Sequence, residues 1–280
     1  MTHQTLDEAL TLSPDGQGGL VAPMTGSFSN APAMAPPERG SPFGGLMAAL
    51  AAKAARESLG ITTPLRTVAT QFLVGARFEP MTLNSELLRG GRSASYVSIR
   101  AGQPERLAMT GLVTFGAPGD GPELRAASIT PPPLADQPPT PLDPQFGPHF
   151  TRHVEHRFVG GIQLFGRNET DRMGVWMRTV DGRPLDEARL AFLLDATFPV
   201  YWTMLPAPPA ISATADLRYD FFGPVPEDAA PDGWTYFEFV SRDSHGGWTV
   251  EDATAWAQDG RPLAVGRQLR KVLASRAPKA

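Results

Sequence analysis

The chain has no cysteine among its 280 residues, which excludes disulfides, thiolate metal sites and a cysteine nucleophile. Lysine is scarce as well, standing only at Lys53, Lys271 and Lys279, and no Gly-x-x-x-x-Gly-Lys loop is there to cradle phosphates. A Gly-x-Ser-x-Gly elbow, the signature of many serine hydrolases, is also missing. No apolar run approaches a membrane span. The start, Met1-Thr2-His3-Gln4-Thr5-Leu6-Asp7-Glu8, lacks the basic and apolar regions of a secretion leader, so the expected compartment is the cytoplasm. The formal net charge is only −4, so no global field favours nucleic acid or an anionic membrane.

What the chain does have is a sizeable apolar complement, 41% of its residues, and a repeat. Residues 68–80 align without gaps on residues 212–224. Each copy follows a helical pattern, opening near Phe43 or Leu190, and each precedes strand-like runs that close at Phe115 or Val272. One helix-then-sheet unit is thus used twice. The expected division is a first unit over 1–115, a linker over 116–148 and a second unit over 149–280. The linker carries Pro131, Pro132, Pro133, Pro138, Pro139, Pro141 and Pro144, which cannot donate ladder hydrogen bonds, so it is expected to be extended and semi-rigid.

Within the first unit, Leu20-Val21-Ala22 reads as a leading strand. Ser41-Pro42-Phe43 then reads as a helix start, with Ser41 as cap and Pro42 in the first helical position. Phe43, Leu46, Met47, Leu50 and Ala54 recur at helical spacing, and Gly60 supplies the stop. The many alanines imply a thin helix that a sheet can wrap closely. Strands are expected within 65–78 and 93–115, with Tyr96–Arg100 and Leu107–Phe115 antiparallel about a turn at 101–104. The second unit repeats the order: a strand at His153–Phe158, a helical pattern from Asp186-Glu187 through Leu190 to Leu205, then strands at Ala213–Phe222, Trp234–Ser241, Trp248–Trp256 and Leu263–Val272. Helix followed by antiparallel strands, twice, makes the fold class α+β.

The Phe43-Gly44-Gly45 helix start, the order of elements, and Asp259-Gly260 ahead of Gln268 in the last strand resemble the type II acyl-CoA thioesterases. That resemblance implies a double hotdog, two tandem helix-on-sheet units forming one continuous sheet. It also implies a metal-free and cofactor-free hydrolase of lipid metabolism that acts on acyl-CoA, and a homodimer. In that family an Asp, a Thr and a Gln hold the hydrolytic water; the matching positions are Asp195, Thr214 and Gln268. The chain departs from the family's pattern after Thr214, where it has Ala215-Asp216-Leu217, and after Gln268, where it has Leu269-Arg270. The short Asp and His motif of the related hydratases is not found.

Asp195 also stands out on physical grounds. Its helical neighbours Ala191, Phe192 and Phe198 are apolar, and burial raises the cost of ionising a carboxylate unless donors restore it. Pro199 cannot donate to the Asp195 carbonyl, so the helix is expected to bend or end there. The plain alternative is that Asp195 caps a broken helix or pairs with an arginine. Thr214 alone suits any strand, and Gln268 alone suits a solvent-facing strand end; together with Asp195 they could orient a water against a thioester, with Asp195 as base. The free amides at Gly44 and Gly45 are the expected oxyanion donors, with tight helix packing as the alternative reason for those glycines.

With Ala108 matched to Ala264, the repeat sets Leu112 opposite Gln268, so only the second unit carries the full trio. Arg89, Arg92 and Arg106 are candidates for the CoA phosphates, and Trp202, Tyr219, Phe221, Phe222 and Trp234 for an acyl tunnel. His149, His153 and His156 cluster in sequence, but His153 and His156 are expected on opposite sides of a strand, against a shared metal. The competing function is a non-catalytic acyl-CoA or lipid-binding protein that kept the fold.

Overall fold

The computed structural model describes residues 4–122, 124, 127–209 and 211–273. In chain order the elements are α1 (Leu6–Ala9), β1 (Ser13–Pro14), β2 (Leu20–Ala22), α2 (Gly44–Leu59), β3 (Leu65–Phe72), β4 (Met81–Gly90), β5 (Ala94–Gln103) and β6 (Arg106–Gly116). There follow β7 (Val154–Phe158), β8 (Arg172–Thr179), α3 (Glu187–Leu193), α4 (Tyr201–Met204), β9 (Ile211–Phe221), β10 (Thr235–His245), β11 (Trp248–Trp256) and β12 (Pro262–Leu273). All twelve strands join one sheet in the order β1-β2-β4-β5-β6-β3-β9-β12-β11-β10-β8-β7. The halves meet at β3 and β9, which pair antiparallel from Thr67↔Asp220 to Gln71↔Asp216. This single sheet around two helices is the expected double hotdog.

α2 forms because its apolar residues, most of them alanine, repeat on the sheet-facing side, and it stops at Gly60, whose φ of 61° is the left-handed conformation that glycine tolerates. Ala48, Ala49, Ala51, Ala54 and Ala55 are fully buried, which lets strands and α3 approach closely. Leu50 is buried as completely; truncating it to Ala would cost roughly 2–5 kcal/mol. α2 and α3 run antiparallel. Gly45 lies under the Phe192 carbonyl, whereas Arg56, about three turns on, donates to Glu187 at 2.6 Å. The start of α3 is therefore fastened to the end of α2, and Glu187 also accepts the Leu65 N–H at 2.7 Å.

Several expectations change. Ser41 does not cap α2: the helix opens at Gly44 with Phe43 in the cap position and no side-chain cap, so its first amides look for another acceptor. The helical pattern from 186 to 205 is two short helices, since α3 ends at Leu193, ahead of Pro199, and α4 restarts at Tyr201. Strands β4 and β8 were not expected; their signals are the inward alternation of Met81 with Leu83 and of Met173, Val175 and Met177.

The gap-free repeat does not carry through to the fold. β3 ends at Phe72 while its partner copy stays in strand to Phe221, so Thr70 lies on the seam opposite Leu217, whereas Thr214 lies beyond the seam opposite Arg270. Leu112 is 54% exposed and Gln268 only 7%, so these two positions face opposite sides of the sheet; the inward residue of β6 is its neighbour Val113.

The proline-rich segment is extended but held. Its Ile129 N–H donates to Gly260, its Thr140 N–H to His156, and its Pro132 carbonyl accepts from Trp176 Nε1 at 2.9 Å. It covers an outer cluster of Trp176, Trp234 and Tyr236 on the second half.

Candidate active site

Asp195 sits in the turn that leaves α3, one residue past the Leu194 cap, and its residue surface is 5% exposed. β12 brings up Gln268 and, two residues later on the same face, Arg270; β9 sets Thr214 directly opposite Arg270. Gln268 Nε2 donates to Asp195 Oδ1 at 2.9 Å and to Thr214 Oγ1 at 2.7 Å. Arg270 Nη2 donates to the same Asp195 oxygen at 3.2 Å. The three side chains that the sequence singled out, Asp195, Thr214 and Gln268, therefore converge.

The uncapped start of α2 completes the surroundings of Asp195. The Gly45 N–H is directed at its carboxylate. Gly44 lies so close that a methyl group there would come within 2.9 Å of Asp195 Oδ2, and a methyl on Gly45 would meet the Phe192 carbonyl at 2.6 Å. Gly45 is thus required by close approach to backbone, whereas at Gly44 the near neighbour is the Asp195 side chain. Of the two amides expected to be free, that of Gly45 is occupied with Asp195. The sequence alternative, in which Asp195 caps a helix, holds in an unexpected form: the capped helix belongs to the other half.

Burial pushes the Asp195 carboxyl up to about 6, against the opposing pull of Arg270, Gln268 and the Gly45 amide. A second buried acid, Glu251 on β11, stands opposite Gln268 and accepts the Val200 N–H at 2.6 Å. Burial raises it to about 7, with Arg270 and the Val200 amide pulling down and the Asp195 charge pushing up. Asp195, Glu251 and Arg270 form one electrostatic unit. Sequence reading missed Glu251 and Arg270 as members of the site. Glu251 had a signal: an acid among the inward positions of β11, between Thr249 and Ala253.

A cavity of about 170 Å³ opens beside this cluster, lined by Gly44, Asp195, Thr214 and Arg270 on its polar side and by Phe43, Phe150, Phe198 and Trp202 on its apolar side. Of the tunnel candidates, Trp202 lines it. Tyr219 is fully buried beneath the cluster, Phe221 is core, Trp234 belongs to the outer cluster and Phe222 is half-exposed. The histidines are buried anchors. His149 contacts the Ala35 carbonyl at 2.8 Å, His153 stacks on Phe28, and His156 contacts the Ala196 carbonyl at 2.8 Å. Burial lowers His156 to about 4, so it is neutral and donates to the residue next to Asp195. No group of His, Asp and Glu among the described residues is placed to hold a metal ion. Arg106 donates to the Gly75 carbonyl at the rim of the first half.

The chain matches the family model of the acyl-CoA thioesterase N-terminal domain over residues 31–116 and that of the acyl-CoA thioesterase C-terminal domain over residues 130–270. Its fold is similar to a conserved hot dog fold protein from Alicyclobacillus acidocaldarius, at 23% identity, with 98% of each chain covered and a TM-score of 0.83. It is also similar to an acyl-CoA thioesterase II, TesB2, from Mycobacterium marinum, at 18% identity over 97% of this chain and 99% of that one, with a TM-score of 0.74. A tesB protein from Mycobacterium avium subspecies paratuberculosis matches at 20% identity over 95% and 97%, with the same TM-score of 0.74. No curated protein sequence matches the chain. With both domain models matched in order along a double-hotdog sheet, the chain belongs to the acyl-CoA thioesterase family.

Proposed function

We propose that the protein hydrolyses an acyl-CoA thioester to the free acid and CoA, using a water activated by Asp195 and oriented by Thr214 and Gln268. The observation that carries this reading is the Gln268 amide, which donates to both Asp195 and Thr214 at the wall of a half-apolar cavity. A thioester needs one oriented water, one base and one oxyanion donor, because the thiolate leaves readily. A base with a pKa of about 6 is ionised at neutral pH yet basic enough to take the water's proton as the bond forms. The Gly44 amide, at the cavity wall, is the backbone donor for the carbonyl oxygen.

A cavity of about 170 Å³ resembles in size the ~150 Å³ void that holds a benzene ring. We accordingly favour a short or ring-sized acyl group over a long fatty chain. The test is thiol release across a panel of acyl-CoAs, beside thermal-shift binding of CoA. Binding without turnover on any substrate would instead support a non-catalytic acyl-CoA-binding protein. A cytoplasmic homodimer is the accompanying expectation, which cell fractionation and sedimentation would check.

A further inference from the structure

The polar wall of the cavity carries one cation that the water-holding trio does not use. Arg270 has a side chain 12% exposed and five N–H donors, yet among the described residues its one hydrogen bond is the 3.2 Å contact from Nη2 to Asp195 Oδ1. Its Nε is buried without a partner among the described residues. Glu251 attracts it from the β11 side but is itself fixed by the Val200 amide. The guanidinium is therefore held in place by charge more than by saturated hydrogen bonds, with donors to spare beside Thr214 and Gly44. The Gly45 amide, meanwhile, is directed at Asp195, which leaves the start of α2 short of one of its expected oxyanion donors.

We propose that Arg270 is a catalytic residue, whose guanidinium follows the negative charge from Asp195 onto the thioester oxygen and holds the oxyanion of the tetrahedral intermediate. This rests on the thioesterase reading above. In the first step a water O–H bond breaks and its proton goes to Asp195. The water oxygen bonds to the carbonyl carbon, and the π pair of the carbonyl moves onto its oxygen. One unit of negative charge has then left the carboxylate and appeared on the substrate, within reach of the same fixed cation. Collapse restores the C=O bond, breaks the C–S bond and releases the thiolate with its electron pair; the proton on Asp195 returns to the thiolate or to solvent.

The other use of a cavity arginine, to bind a carboxylate on the acyl chain, fits less well. Asp195 and Glu251 already surround this single cation, and a third carboxylate would leave the buried cluster with uncompensated charge.

The experiment is steady-state thiol release by wild type, Arg270→Met and Arg270→Gly. Because the protein has no cysteine, released CoA is the only thiol in the assay. For Arg270→Met we expect kcat to fall about 10²–10³-fold, as for loss of an oxyanion donor, with KM within about threefold. Added guanidinium ion should recover part of the kcat of Arg270→Gly. A fall in kcat of less than about tenfold, or a change confined to KM for carboxylated acyl groups, overturns the proposal while leaving the thioesterase reading in place. Should Arg270→Met fail to fold, Arg270→Gln is judged by the same tenfold criterion. Wild type inert on every acyl-CoA, by contrast, overturns the thioesterase reading and the proposal with it.

Discussion

Gln268 and Asp195, 73 residues apart in the chain, are joined by a 2.9 Å hydrogen bond inside the protein. The amide that makes this bond also reaches Thr214, so a change at Gln268 should disturb both proposed partners of the hydrolytic water at once. Asp195→Asn and Gln268→Ala should each lower kcat by about 10²–10⁴-fold, the range for loss of a positioned proton acceptor. Circular dichroism and thermal unfolding should show both variants folded. Wild-type turnover in either would remove its residue from the chemistry.

The activity should depend on pH through Asp195. Its carboxyl titrates at about 6 and must be ionised to accept a proton, so kcat/KM should rise with pH and reach half its plateau near there. The Asp195 charge pushes Glu251 up, so Asp195→Asn should move the Glu251 titration midpoint, followed by carboxyl NMR, downward. A midpoint unmoved by that substitution would show that the two acids do not interact.

Stability should follow pH in the opposite sense. A carboxyl whose pKa is raised by folding keeps its proton in the folded state after the unfolded chain has lost it, so stability declines as pH rises through the interval. For Glu251 the interval runs from 4.5 to about 7, and the associated loss is about 3 kcal/mol. Glu251→Gln should flatten urea-measured stability across that range. His156, lowered to about 4, acts the other way: its contribution is present above about 6.5 and lost as pH falls. Its signature is a steeper acid limb that His156→Gln would remove.

The two glycines at the head of α2 should separate function from folding. A methyl at Gly45 meets a backbone oxygen, so Gly45→Ala should lower stability by about 1–3 kcal/mol through forced displacement of α3. A methyl at Gly44 meets the tip of the Asp195 side chain, so Gly44→Ala should lower kcat more than it lowers the melting temperature. Equal effects at both positions would contradict this division.

Much of this was legible in the sequence. Period-two and helical patterns place most elements within a few residues, and β11 falls on Trp248–Trp256 as read. Asp195 is conspicuous because a charged residue among Ala191, Phe192 and Phe198 demands partners. What sequence could not supply was register. Leu112 and Val113 differ by one position and face opposite sides of the sheet, and no local pattern says which of them stands with Gln268. Arg270 was invisible for a related reason: an arginine near a strand end ordinarily reaches solvent, and only the β9 neighbour and the nearby acids turn it inward. The cap of α2 was equally hidden, since its acceptor comes from a turn about 150 residues away.

The bond from Arg56 to Glu187, where the far ends of α2 and α3 meet, has a stoichiometric consequence. Two identical hotdog chains would present the same chemistry at both ends of their paired helices. Here one end is bridged by an ion pair whose carboxylate also takes the Leu65 amide, so on the proposed function each polypeptide carries one reactive centre, at Asp195. A tight-binding inhibitor should therefore titrate the enzyme at one equivalent per chain, with no second, weaker class of sites and no cooperativity within the chain.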